Sequence, residues 1–79
     1  MKLVGSTLVA SDERTDRLFF WNGDGSLFLF QGGTFQASRR VSQPGSVAHA
    51  RDEALNWRTH LSLVEQAVLA LLRVAARGR

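Results

Sequence analysis

The residue types best suited to chemistry in this chain lie at regular intervals between positions 49 and 60. His49, Glu53, Asn56 and His60 are separated by four, three and four positions, so a helix would carry all four on one face. Imidazole and carboxylate groups bind divalent metals and act as general bases. The outer pair, however, lies about three helical turns apart, and no nucleophile or oxyanion donor accompanies it. The spacing therefore predicts a solvated polar face, with no metal, no cofactor and no enzymatic activity.

The composition of the chain excludes several other classes of protein. Without cysteine it forms no disulfide, and two histidines alone make a poor structural zinc site. The apolar content of 44% and charged content of 22% are typical of a soluble globular domain. Ile, Tyr and Cys are missing and Arg replaces Lys almost everywhere, a bias that suits a GC-rich bacterial or phage genome.

A helical region is predicted from residue 47 to residue 77. Apolar residues recur there with alternating steps of three and four, the repeat of one helix face, and neither Pro nor Gly interrupts them. Ser46 is placed to cap the start. Ser62 and Glu65 fit a second start signal, a capping box. Because a single rod would be about 46 Å long, more than a small sheet can cover, we favour two helices that break near residues 59–62, with one long helix as the alternative.

The preceding residues, 1–41, predict a β-meander. Residues 2–10 read as a first strand with a bulge at Gly5. A hairpin follows, in which 17–22 and 26–31 flank the turn residues of Asn22-Gly23-Asp24-Gly25. Residues 34–41 form the next strand, with Phe35, Ala37 and Val41 predicted on one side. The chain is therefore expected to be a single α+β domain, with a three- to four-stranded antiparallel meander followed by one long or two shorter C-terminal helices.

Both faces of the predicted hairpin are apolar. If its loop has an even number of residues, Phe19, Trp21, Phe28 and Phe30 share one face; an odd loop with a bulge would mix the sets. One face can lie on a helix, and the other needs the second helix, a second copy of the chain or a partner.

The last helix is also unusually apolar, since twelve of its sixteen residues from 61 to 76 are apolar. So wide an apolar face requires burial on more than one side. We therefore expect a homodimer and assign protein contact to residues of the hairpin and of this helix: Phe19, Trp21, Phe28, Phe30, Leu69 and Leu72.

A second hypothesis rests on arginine. The net charge of +3 is modest, but Arg39, Arg40, Arg51 and Arg58 could form a surface for phosphates. The acids in the first connection, at 12, 13 and 16, argue against a uniformly basic molecule.

These observations predict a small non-enzymatic binding module that acts through protein–protein contact. Such a module would be a regulator or inhibitor of a larger host complex, of the kind that phages target; the alternative is a nucleic-acid-binding protein. The apolar start of the chain is short and is followed by acids, so it predicts a strand and not a secretion signal. The apolar C-terminal run is too short and too polar to span a bilayer. A cytoplasmic location without a membrane partner is expected.

Overall fold

The computed structural model describes residues 6–42 and 45–78. Four strands form one antiparallel sheet in the order β1-β2-β3-β4, and a single helix follows. The elements are β1 (Thr7–Asp12), β2 (Arg17–Trp21), β3 (Ser26–Gln31), β4 (Thr34–Arg40) and α1 (Val47–Arg77). The predicted α+β class is confirmed, with four strands and one helix.

The first strand, β1, begins at Thr7 and continues to Asp12, two residues beyond its predicted end. Residues 2–5, including the predicted bulge at Gly5, lie outside the described residues. A bulge is found instead at Val9, because Leu8 pairs with Phe20 while Ala10 pairs with Phe19. Val9 is the additional residue, and its side chain turns into the core, where it is buried.

The turn between β2 and β3 is built around the side chain of Asn22. Its Oδ1 accepts hydrogen bonds from the backbone N–H groups of Asp24, at 3.1 Å, and Ser26, at 3.2 Å. Gly23 and Gly25 have φ angles of 83° and 106°, which side-chain-bearing residues rarely adopt. The predicted hairpin is therefore present, and glycine chemistry explains its turn.

The register of this hairpin corrects the predicted grouping of its aromatic residues. Trp21 pairs with Leu27, which leaves an odd number of residues, 22–26, in the connection. Phe19 and Trp21 therefore share a face with Leu27 and Leu29, because Phe19 pairs with Leu29. Phe28 and Phe30 lie on the opposite face. The connection is odd-numbered, so the alternative in which the two aromatic sets are mixed holds, and the even-loop grouping does not apply.

A second bulge changes the prediction for β4. Leu29 pairs with Ala37 but Phe30 pairs with Phe35, so Gln36 is the additional residue. Phe35 and Ala37 consequently point to opposite faces, and the predicted grouping of Phe35 with Ala37 was wrong.

The core lies between α1 and one face of the sheet, called the inner face below. Small residues at Ala50 and Ala54 are fully buried and allow the helix to approach the sheet closely. Trp57 packs edge-on against Phe19, with ring centroids 5.5 Å apart. The buried hydrophobic residues are Val9, Phe19, Leu27, Leu29, Val41, Ala50, Ala54 and Trp57.

The helix is continuous from Val47 to Arg77, so the preferred break near residues 59–62 was wrong. Ser46 caps its start as predicted, since its side chain accepts from the His49 N–H at 3.1 Å. Ser62 and Glu65, which suggested a second start, bind the sheet instead: Ser62 Oγ accepts from Arg14 at 3.2 Å and Glu65 from Arg17 at 2.7 Å. The single helix makes the molecule elongated, 51 Å by 23 Å by 18 Å.

Candidate interaction surface

The helix α1 has two parts with different surroundings. Its first half lies over the inner face of the sheet, and Leu61 is the last residue packed against the core. Residues 62–77, called the extension below, continue past the sheet. Within the extension only Ser62 and Glu65 are partly buried, and every other residue is exposed. Beyond the contacts of Ser62 and Glu65 with Arg14 and Arg17, every residue of the extension up to Arg77 is exposed.

The extension exposes large apolar side chains. Leu71 exposes 69% of its surface and Val64, the least exposed of the group, 46%. By length and composition alone α1 could cross a membrane, which differs from the expectation that its apolar run is too short and too polar to do so. The large exposed side chains are Leu63, Val64, Val68, Leu69, Leu71, Leu72 and Val74.

The solvent side of the helix stays largely polar where the sheet ends. Over the sheet this side carries the exposed residues Asp52, Asn56 and Thr59. Continued at the same three-four spacing, it carries Leu63, Gln66, Ala70, Arg73 and Arg77 in the extension. The change beyond the sheet is on the other sides of the helix, where large apolar side chains are exposed. The extension is therefore an amphipathic helix whose apolar sides are uncovered among the described residues.

Apart from Glu65, the polar residues of the extension form one narrow stripe. Ser62, Gln66, Arg73 and Arg77 are separated by four, seven and four positions, so they lie along one line. Apolar residues occupy roughly three quarters of the circumference, given 3.6 residues per turn. The stripe fixes which side of the extension faces water.

The stripe of α1 that meets the sheet also continues into the extension. Over the sheet it consists of Ala50, Ala54, Trp57 and Leu61. The same phase gives Val64, Val68, Leu71 and Ala75, which we call the inner stripe of the extension. These residues were predicted to lie on the core face of the helix. They do lie in line with it, but no sheet is present beneath them, and they are exposed.

Three arginine contacts hold the helix to the sheet where the extension begins. Arg58 Nη1 donates to the Ser11 carbonyl at 2.9 Å, Arg14 Nη2 to Ser62 Oγ at 3.2 Å and Arg17 Nη1 to Glu65 Oε1 at 2.7 Å. Because these contacts fix the helix on both β1 and β2, they set the direction in which the extension leaves the sheet.

The depression beside the extension is shallow and lies on the surface. Its volume is about 320 Å³, and Val64, Glu65, Val68 and Leu69 line it. All four residues belong to one helix, so the depression does not enclose a small molecule in the way that a ligand pocket does.

The outer face of the sheet, opposite α1, carries a second apolar cluster. The rings of Phe20 and Phe30 meet edge-to-face at 5.8 Å, as do those of Phe30 and Phe35. Phe28 and Leu18 belong to the same face by register and are half-buried. These rings partly cover one another, but Phe35 still exposes 43% of its surface, and Leu8, which pairs with Phe20, exposes 50%.

The six residues predicted to make protein contact do not form one surface. Phe19 is fully buried in the core, where a partner cannot reach it without unfolding, and Trp21 is half-buried on the same inner face. Phe28 and Phe30 lie on the outer face. Leu69 and Leu72 belong to the extension. The sequence analysis counted twelve apolar residues in 61–76 but assigned contact only to Leu69 and Leu72 among them.

The four predicted nucleic-acid-binding arginines are also separated. The Arg39 guanidinium lies over the Trp57 ring, 4.4 Å from its centroid, and Arg58 binds β1 at the other edge of the sheet. Arg39 and Arg40 are neighbours in β4 and point to opposite faces. Arg51 is exposed on the helix. The structure therefore does not bring these four residues into one basic patch.

The four polar residues predicted to share one helix face do not act as one group either; they are His49, Glu53, Asn56 and His60. His49 Nε2 lies 2.7 Å from Ser42 Oγ and 3.4 Å from the Glu53 carboxylate, which also accepts from the Ser42 N–H at 3.1 Å. A serine–histidine–carboxylate triad uses the two opposite ring nitrogens, whereas here both partners meet Nε2. The contacts tie the loop after β4 to the helix. Within residues 6–42 and 45–78, no three potential metal-ligating side chains form a group.

The chain matches no protein-family model, no curated protein and no solved structure. The interpretation of the extension consequently depends on its own geometry and chemistry.

Proposed function

We propose that this chain is a non-enzymatic protein-binding module whose contact surface is the extension. The observation that carries the proposal is the set of large apolar side chains that α1 exposes beyond the sheet, each with 46–69% of its surface exposed. A module of this kind acts as a regulator or inhibitor by occupying a surface of a larger complex. Its arginine-rich polar stripe stays in water, which fits a cytoplasmic protein.

The size of the apolar surface supports a macromolecular partner. Sixteen residues of helix are about 24 Å long and about 10 Å across, so three quarters of the circumference amounts to on the order of 500 Å². That is within the range of the largest apolar patches on monomeric proteins, about 300–600 Å², which are often functional. Covering it would contribute on the order of 10 kcal/mol before the costs of association are subtracted.

The charge distribution favours a protein over a nucleic acid as that partner. Two cations, Arg73 and Arg77, lie on the polar stripe of the extension, while Arg39 and Arg58 are engaged with the folded core. Phosphate binding depends on several cations acting along one surface. An apolar helix side is instead the element that docks into grooves on other proteins.

The test compares two substitutions that add the same charge on different sides of the extension. Leu71→Glu places a carboxylate on the inner stripe, and Gln66→Glu places one on the polar stripe. Self-association is measured by sedimentation velocity, and capture of other proteins from nuclease-treated lysate of the source organism by mass spectrometry. We expect the native chain and Gln66→Glu to associate with protein, and Leu71→Glu to lose that association.

Two results would overturn the proposal. One is a native chain that sediments as a monomer and captures the same proteins as Leu71→Glu. The other is capture that disappears when nuclease is added, since this would assign the interaction to nucleic acid. Circular dichroism of Leu71→Glu and Gln66→Glu checks that both variants retain the helix.

A further inference from the structure

We infer that the inner stripe of the extension is covered by the same stripe of a second copy, and that the two helices run antiparallel. This inference rests on the proposed function, because it names the partner of the surface described above. Three features of the molecule support it: the spacing of the stripe, the position of the sheet and the length of the extension.

The spacing of the stripe suits pairing between helices. Leu61, Val64, Val68, Leu71 and Ala75 alternate in steps of three and four, the spacing of the a and d positions of a coiled coil. The polar stripe of the extension lies on the opposite side of the helix, so Arg73 and Arg77 remain in water when the seam is closed. No charged residue occupies the seam itself, and Glu65, on its flank, is held by Arg17.

The position of the sheet selects the direction of pairing. The sheet lies against the same side of α1 that carries the seam, because Trp57 and Leu61 pack on the core in phase with Val64. In a parallel pair in register, each sheet would therefore occupy the space of the partner's helix. In an antiparallel pair the two sheets lie at opposite ends, and only the two extensions overlap.

The length of the extension fits this arrangement. An overlap of about 24 Å lets the end of one helix reach the base of the other, where the partner's sheet begins. One seam covers about a third of each circumference, so the two extensions bury on the order of 500 Å² in total, less than a standard specific interface. The dimer is therefore expected to be reversible and dependent on concentration.

Cysteine cross-linking tests the direction of pairing, since the native chain contains no cysteine. Val64→Cys and Ala75→Cys lie near opposite ends of the seam. A disulfide requires Cα atoms roughly 4.4–6.8 Å apart. In an antiparallel pair, position 64 meets position 75 of the second copy, while like positions are separated by roughly 16 Å along the axis. Mixing the two variants under mild oxidation should therefore give predominantly the mixed disulfide, distinguishable by mass.

A matched control places the same chemistry on the polar stripe. Gln66→Cys and Arg73→Cys lie at similar heights along the helix but face water in the proposed dimer. We expect this mixture to give several-fold less mixed disulfide than the seam pair. Equal yields from both mixtures would show collisional cross-linking and would overturn the inference.

The remaining outcomes separate the inference from the proposed function. Disulfides between like positions would show a parallel pair and overturn the antiparallel arrangement. A monomer without cross-links that still captures a protein through Leu71 would overturn self-pairing and leave the proposed function intact. A monomer that captures no protein but co-sediments with phosphatidylcholine–phosphatidylserine vesicles would overturn both, because the extension would then bind lipid.

Discussion

The Arg17 guanidinium donates to the Glu65 carboxylate at 2.7 Å, and this bond joins β2 to the helix at the base of the extension. Only about 10% of the Arg17 side chain is exposed, whereas 42% of the Glu65 side chain is. The two residues therefore contribute unequally: a nearly buried cation depends on a carboxylate that remains in contact with solvent.

Replacing Glu65 by Gln should destabilise the sheet–helix contact. The Arg17 charge would remain in its buried position without a carboxylate, but solvent at Glu65 screens the pair and limits the loss. We expect Glu65→Gln to lower the free energy of unfolding by about 1 kcal/mol in urea titrations followed by tryptophan fluorescence. Glu13→Gln removes the same charge from an exposed turn residue and serves as the control. Equal losses for both variants would show that the effect is one of net charge.

Arg39 and Arg40 should differ in their contribution to stability although they are adjacent. The Arg39 guanidinium stacks on Trp57, whereas Arg40 lies on the outer face. A stacked cation at a partly exposed site contributes about 0.5–1 kcal/mol. Arg39→Ala should lose that amount, and Arg40→Ala should change the free energy of unfolding by less than about 0.5 kcal/mol. The reverse order in thermal or urea unfolding would contradict the role of the stacking contact.

The two serines that signalled helix starts should also behave differently. Ser46 caps α1, so Ser46→Ala should lower the free energy of unfolding by about 1 kcal/mol. Ser62 lies inside the continuous helix, and its hydroxyl accepts from the exposed Arg14, so Ser62→Ala should lose only a few tenths of a kcal/mol. A loss at Ser62 as large as that at Ser46 would indicate a helix start at residue 62.

Ala54 and Val68 lie on the same side of the helix, but a charge should unfold the protein at Ala54 and leave it folded at Val68. Ala54 is completely buried, while Val68 exposes about half of its surface. Ala54→Glu buries an unpaired carboxylate and should abolish the folded state. Val68→Glu should leave tryptophan fluorescence unchanged, and also the unfolding transition measured at low protein concentration. Unfolding of both variants would show that the extension packs on the rest of the chain.

Much of the fold is predictable because local chemistry determines it. Asn22 and its neighbouring glycines specify the hairpin turn, and Ser46 specifies the start of the helix. The two bulges are harder to predict, because each depends on how a strand fits its neighbour. The odd-numbered connection 22–26 and the bulge at Gln36 together place Phe28, Phe30 and Phe35 on the outer face.

The candidate surface was predictable only in part. Apolar periodicity identifies Val64, Val68 and Leu71 as one side of a helix, but periodicity does not say what covers that side. The sequence analysis reasoned that a small sheet cannot cover a rod of about 46 Å, and with the capping signal at Ser62 this favoured a break near residues 59–62. Ser62 and Glu65 bind Arg14 and Arg17 instead. Because each pair is 48 positions apart in the chain, local sequence does not reveal these contacts.

The distribution of aromatic residues makes the two parts of the molecule optically distinct. Trp21 belongs to β2 and Trp57 packs on the inner face of the sheet, whereas the extension contains no aromatic residue. Tryptophan emission therefore reports on the sheet and the first half of α1, whereas helical circular dichroism reports on both halves. The difference between the two signals isolates the behaviour of the extension without any added label.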